Sequence, residues 1–286
     1  MQKKTIRTGS GLLAAVMIVA LFAWLGAGPG PRDVLIIRDE MPQIEVLSPF
    51  LKEHGNKEVD VVDQDGLPDD LSQYEAVLLF IHNDLAEATE KAVIDYTKKG
   101  GRFVCLHHSI SSGKAANKYY FDFLDVRLDN PKQSSKAVEP GEGYGWRHTE
   151  TNGENVTLTI VNLNSKHYIT NHRVDWGEAI PYTVSDYPSG EARFPSISLE
   201  NSEVYLNHKF TDGREKTVLM GLKYFDDRVG KVFMQDRAGW IKQEGKGEIV
   251  YLMPGHAASD YENRNIAQMV LNAIEWQPQF HAYSVK

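Results

Sequence analysis

Three apolar runs end in histidine, and they constrain the fold more than anything else in the chain. Tyr74–Ile81 (YEAVLLFI) is followed directly by His82. Phe103–Leu106 (FVCL) is followed by His107 and His108, and Glu248–Met253 (EIVYLM) by Pro254, Gly255 and His256. None of the three alternates polar with apolar, so each reads as a strand covered on both faces, as in a parallel sheet. Open α/β sheets gather their ligands at the carboxyl ends of such strands. If the three strands run parallel, their histidines share one edge of one sheet.

The rest of the chain supports that frame. Asp33–Arg38 (DVLIIR) reads as a first strand, and Glu58–Val62 as a second. Between them, residues 48–54 suit a helix with Ser48 as cap and Pro49 in its first turn. Asp84 and Glu87 have the spacing of a capping box, and Lys98-Lys99-Gly100 closes the helix that they start. Ser259 and Glu262 repeat the capping pattern before a helix that Pro278 stops. From about 123 to 240 the signals change to short strands and turns, including a hairpin at Asp226-Asp227 and Gly230. The fold class expected is therefore α/β, a mostly parallel sheet with helices on both faces and a β-rich insertion over 123–240.

The amino terminus differs in kind. Residues 1–10 are polar and basic, and Gly11–Gly28 is uncharged and almost wholly apolar. This is the layout of a signal-anchor or a secretory signal, with 29–32 as linker and 278–286 as a tail. The cleavage pattern is poor, because Leu25 is large and Pro29 follows Gly28. An uncleaved transmembrane anchor with the body outside the cytoplasmic membrane is the expectation; a cleaved signal would give a secreted protein.

Charge narrows the partners. The whole chain carries −8, and the four basic residues before position 33 leave residues 33–286 at −12. So acidic a body is unsuited to nucleic acid. The membrane and a weakly charged small molecule are the expected partners, and the assembly state, monomer or homo-oligomer, stays open. The single cysteine, Cys105, lies inside a strand without an elbow motif and reads as an inert hydrophobe rather than a nucleophile.

Several residues border the expected edge. Arg38, His82, Asp84, His108 and Ser109 follow strand ends and are candidate substrate contacts. A histidine there can move protons near neutral pH. The segments YGWRH (Tyr144–His148) and DWGEAIPY (Asp175–Tyr182) mix aromatic and polar groups, as sugar sites do, and put forward Trp146 and His148 as further binding residues. No HExxH or HxH spacing appears. Adjacent His107 and His108 cannot both point into one site from a regular strand, although a sharp turn would allow it. The expected cofactor is therefore none, with a divalent metal as the lesser reading.

The motifs also carry a resemblance. GGRFVCLHHS (100–109) resembles the GGGFVGLHSA-type motif of the trehalose-utilisation, or ThuA-like, family. KHYIT (166–170) is similar to its HPIT-type segment with Tyr168 in place of proline, and GEAIPY (177–182) to its DE-x-Y segment with Gly177 in place of Asp. GKGEIVYLMPGH (245–256) is similar to its GKGRVFYTTLGH-type strand, and Asn265–Trp276 to its closing helix. The resemblance implies a flavodoxin-like fold related to class I glutamine amidotransferases. It puts His107 at the nucleophile position of those enzymes and His256 near their triad histidine, so glutaminase chemistry is not expected. It implies acid–base chemistry on a keto-disaccharide or related sugar by His107 and His256, with Glu178 as a third catalytic candidate. The alternative is a non-catalytic carbohydrate-binding module or an envelope scaffold on the same fold.

Overall fold

The computed structural model describes residues 32–131, 142–149, 155–184, 192–213 and 215–278. The apolar run 11–28, its basic stub and the carboxyl-terminal tail from 279 lie outside the described residues. Among the described residues, no helix is long and apolar enough to cross a membrane.

A ten-stranded sheet organises the protein, in the order β2-β1-β3-β4-β14-β13-β12-β7-β9-β8. Its first five strands are parallel: β1 (Arg32–Arg38), β2 (Val59–Val62), β3 (Tyr74–Phe80), β4 (Arg102–Leu106) and β14 (Gly247–Leu252). The other five are antiparallel: β7 (Leu158–Asn162), β8 (Ala179–Tyr182), β9 (Ala192–Leu199), β12 (Thr217–Asp226) and β13 (Lys231–Glu244). Most of the β-rich stretch therefore extends the central sheet. The β12–β13 hairpin turns where Asp226 pairs with Lys231, and β13 returns into β14 through Gly245-Lys246.

The strands read from unalternating runs are buried. All five residues of β4 and all six of β14 are buried. Helix α1 (Pro42–Gly55) packs on β2, and α2 (Glu87–Lys98) on β4 and β14. The short α3 (Tyr120–Leu124) and α4 (Tyr168–Asn171) line connections, and α5 (Ala258–Glu262) and α6 (Arg264–Glu275) follow β14.

Three helix starts differ from expectation. Helix α1 begins at Pro42, nearly two turns before Ser48, because proline at the first position loses no intrahelical bond. Asp84 does not cap α2, which starts at Glu87. The amide N–H groups ahead of it are met from elsewhere: Leu85 N–H donates to Asn117 (2.9 Å) and Ala86 N–H to Gln64 (2.7 Å). Ser259 sits inside α5, and Asn263 caps α6 instead, accepting from Asn265 N–H at 3.1 Å. At α2, tertiary acceptors displaced the local capping pattern.

Two small antiparallel ribbons complete the fold. One pairs β5 (Val126–Arg127) with β11 (Lys209–Phe210). The other pairs β6 (Gly145–His148) with β10 (Glu203–Leu206), and its register sets Glu203 opposite His148 and Tyr205 opposite Trp146. Residues two apart on a strand, and residues directly opposite across a pair, share a face. One face of this ribbon therefore presents Glu203, Tyr205, Trp146 and His148 together.

Candidate functional site

Four neighbouring strands, β1, β3, β4 and β14, end at one cleft of about 740 Å³. Glu40 comes from the end of β1, His82 and Asn83 from β3, His108 from β4 and His256 from β14. The β6–β10 ribbon closes the other side with Trp146, His148, Glu203 and Tyr205.

A backbone turn brings the adjacent histidines together. The strand stops at Leu106, and His107 opens a 3₁₀ turn with φ of 35°. That left-handed conformation is unfavourable for a non-glycine residue and persists where the surroundings over-determine it. Here Ser109 locks the turn, its hydroxyl donating to the carbonyls of Leu79 and Leu106, both at 2.9 Å. As a result the rings of His107 and His108 lie 4.4 Å apart, and both approach Glu203.

Glu203 Oε2 is the centre of the arrangement. It lies 2.7 Å from His107 Nε2, 3.4 Å from His256 Nδ1 and 3.6 Å from His108 Nε2. Burial alone would raise its carboxyl; the three imidazoles outweigh that and hold it well below the usual carboxylate range. Burial, with His107 beside it, pushes the His108 imidazole down to about 3, so His108 is neutral. Its Nδ1 is buried without a hydrogen-bond partner. The ligating atoms of His107, His108, Glu203 and His256 all lie within 4.8 Å of one another, a set able to hold a metal ion. Glu40, His82 and His108 form a second such group.

The outer part of the cleft is wetter. His82 stacks on His108 at 4.6 Å, and its Nδ1 lies 3.4 Å from Glu40 Oε1. The Glu40 contact raises His82 and lowers Glu40 from their ordinary values. Asp39 holds the His82 backbone, accepting its N–H at 2.8 Å. Lys114 is wholly buried beneath this loop and donates to the carbonyls of Ile81, His82 and Asn83. The His256 loop is fixed by Asp260, which accepts the N–H groups of Gly255 (3.0 Å) and His256 (2.9 Å). Gly255 has φ of 127°, and a Cβ there would fall 2.3 Å from the Tyr261 hydroxyl. On the ribbon, Trp146 stacks on His148 at 5.0 Å, and His148 reaches His256 at 5.3 Å.

Of the residues singled out in the sequence, His82, His108, Trp146, His148 and His256 line the cleft. His107 lies behind it, fully buried, with Nδ1 at 2.5 Å from the Met253 carbonyl and Nε2 on Glu203. Ser109 is buried and spent on backbone carbonyls. Arg38 and the exposed Asp84 do not line the cleft. Glu178 is exposed beside β8, the edge strand five positions from β14 in the sheet. The burial of Cys105 pushes its thiol up to about 12, which leaves it unreactive.

Glu203, Glu40 and Tyr205 escaped the sequence reading. Glu203 starts a run of four buried residues, EVYL, and a lone acid opening an apolar strand was the available signal. Glu40 sits two residues past β1, at a strand end like the histidines.

The comparisons agree with the architecture. The family model described as ThuA, trehalose utilisation, matches residues 36–277. No curated protein matches the sequence. A ThuA-like protein from Bacteroides uniformis ATCC 8492 superposes with a TM-score of 0.54 at 15% identity, covering 87% of this chain and 93% of that one. A β-galactosidase from Rahnella sp. R3 gives 0.47 at 14% identity, over 91% of this chain and 33% of the enzyme. A glutamine amidotransferase from Thermotoga maritima gives 0.45 at 10% identity, over 86% and 96%. With the family model spanning nearly all of the described α/β body, the chain belongs to the ThuA, or trehalose utilisation, family.

Proposed function

We propose that the protein transforms a sugar of the keto-disaccharide class in the cleft at the ends of β1, β3, β4 and β14. The observation that carries this reading is the convergence of His82, His108, His256, Glu40 and Glu203 with an aromatic wall in one cleft. The family name adds the carbohydrate context. The roles follow from geometry. Trp146, half-buried on the cleft wall, offers its ring to the C–H side of a sugar, and carboxylates and imidazoles take its hydroxyls. Proton transfer falls to His82 rather than to the enclosed His107. His82 is exposed to the cleft and oriented by Glu40 at 3.4 Å. A carbonyl acidifies the neighbouring C–H. His82 takes that proton, the C–H pair becomes the C=C bond of an enediolate as the carbonyl π pair moves onto oxygen, the neighbouring hydroxyl passes its proton to that oxygen, and His82 returns its proton to the former carbonyl carbon, leaving the carbonyl at the neighbouring position. The finer relation to the class I glutamine amidotransferase-like, flavodoxin-like fold belongs to the same reading.

The test is turnover of keto-disaccharides by the full-length protein followed by mass spectrometry and NMR. His82→Ala is expected to lower kcat about 10²–10⁴-fold with little change in sugar affinity. Sugar binding without turnover in the native protein would make it a binding module, and absence of both would overturn the reading. The apolar run 11–28 behind basic residues supports an amino-terminal anchor with the cleft on the outer side. Recovery of a shortened chain from the soluble fraction would show a cleaved signal instead.

A further inference from the structure

The contact between His107 and Glu203 poses a problem of valence. His107 Nδ1 faces the Met253 carbonyl at 2.5 Å, and a carbonyl only accepts, so Nδ1 carries the hydrogen. In the neutral ring Nε2 is then a lone pair. It points at a carboxylate oxygen 2.7 Å away, which is also an acceptor. Two acceptors at that distance repel unless a cation, a proton on Nε2 or a metal ion, lies with them. His108 and His256 add two more imidazoles around the same oxygen, at 3.6 and 3.4 Å. His108 is buried, and its Nε2 stands beyond hydrogen-bond distance of that oxygen.

We infer that His107, His108, Glu203 and His256 form a binding site for a first-row divalent metal, zinc above all, at the floor of the cleft. A cation at their centre turns every one of these lone pairs into a bond. The dimensions agree: metal–ligand bonds of about 2.0–2.1 Å put tetrahedral neighbours about 3.3 Å apart and octahedral neighbours about 2.9 Å apart. The observed separations of 2.7, 3.4 and 3.6 Å from Glu203 Oε2 bracket both. The His107 Nδ1–carbonyl bond is the outer partner that a metal-bound histidine needs, since it fixes which nitrogen faces the ion. Three imidazoles and one carboxylate favour zinc, manganese or iron over magnesium and calcium, which prefer oxygen donors alone. The sequence lacks the usual ligand spacings because the site is assembled from the β4 turn, the ribbon and the β14 loop.

The inference shares its cleft with the sugar reading, but metal content and sugar turnover are measured separately and can fail separately. The full-length protein, purified in detergent and stripped with a chelator, is titrated with Zn(II) and with Mg(II). One Zn(II) per chain is expected, held at least about 100-fold more tightly than Mg(II). Co(II) in its place should give visible absorption bands. Glu203→Gln and His256→Ala, each with an unchanged circular dichroism spectrum, should each weaken Zn(II) binding by roughly 100-fold or more, beyond the cost of losing an outer partner. Zn(II) bound no better than Mg(II), or Zn(II) binding intact in both variants, would overturn the site. Lost metal with retained turnover would leave the sugar chemistry standing without it.

Discussion

Strands β4 and β14 carry a buried polar cluster at each end, and the two clusters are opposites. At the amino ends, Arg102 pairs with Glu248 across the two strands at 3.2 Å. Arg102 also donates to the Ile274 carbonyl at 2.7 Å, and its guanidinium lies 5.6 Å from the Trp276 ring. Donor meets acceptor and charge meets charge. At the carboxyl ends, three imidazoles crowd one carboxylate. The first arrangement pairs its opposite charges one to one, leaving only Arg102 Nε without a partner. The second needs a cation, a proton on His107 or a metal ion, beside its one carboxylate. A buried cluster whose charges pair one to one supports the fold; one that crowds several imidazoles on a single carboxylate marks a place for a ligand.

The sharpest way to break this contrast is to alter one acid of each cluster. Glu203→Gln keeps the shape but removes the charge. Turnover of a keto-sugar is expected to fall about 10²–10⁴-fold. The metal-free protein should also melt lower, because the imidazoles that hold the Glu203 carboxyl well below its ordinary range lose their charged partner. If Glu203→Gln keeps its turnover per folded molecule and loses only stability, the carboxyl-end cluster is structural after all.

Arg102→Met is the mirror experiment. It leaves Glu248 buried beside no guanidinium. Burial already raises the Glu248 carboxyl despite Arg102, so its loss removes the main opposing influence. Breaking a buried pair by deleting one partner costs about 3–5 kcal/mol. Urea unfolding should show that loss, and turnover per folded molecule should stay at the native level.

A smaller effect is expected at Lys114, a buried amine behind the cleft loop. Its ammonium ties three carbonyls of the loop that carries His82. Lys114→Met orphans them and should cost about 2–3 kcal/mol. Burial pushes Lys114 down to about 7 from the ordinary 10.5. Between those values the unfolded chain binds the extra proton, so native stability should rise with pH across that window and fall back toward pH 7. Denaturant midpoints at pH 7 and pH 9.5 check this: the native protein should gain over the variant at the higher pH, and an equal shift in both would remove Lys114 from the account.

The two ends of the strands also differ in how far the sequence revealed them. The unalternating runs at β3, β4 and β14 announced a doubly covered parallel sheet, and the histidines announced its functional edge. Those signals are local and survive folding. Glu203 carries no such mark, since its role exists only because the β6–β10 register sets it opposite His148 and over the strand ends. The φ of 35° at His107 was hidden in the same way. A regular strand would have sent His107 and His108 to opposite sides, and the turn sends both to one oxygen. Glu178 shows the reverse: a motif match gave it weight, and the sheet order sets it beside an edge strand, away from the cleft. Residues whose function depends on a neighbour many positions away are the ones that sequence alone conceals.

Cys105 gives the smallest expected effect and a last test of the contrast, because it lies on β4 between the two clusters. It is wholly buried, and its sulfur lies 3.6 Å from the Tyr120 hydroxyl. With the thiol held near 12, almost none is thiolate at neutral pH. An aromatic disulfide reagent should leave the native protein unlabelled for as long as it stays folded and label one thiol per chain in denaturant. Cys105→Ala removes a few buried contacts and should cost about 1 kcal/mol, without changing turnover or metal content. Rapid labelling of the native protein, or lost turnover in a folded Cys105→Ala variant, would mean that the strand itself presents a nucleophile and that the histidines beyond it serve that thiol.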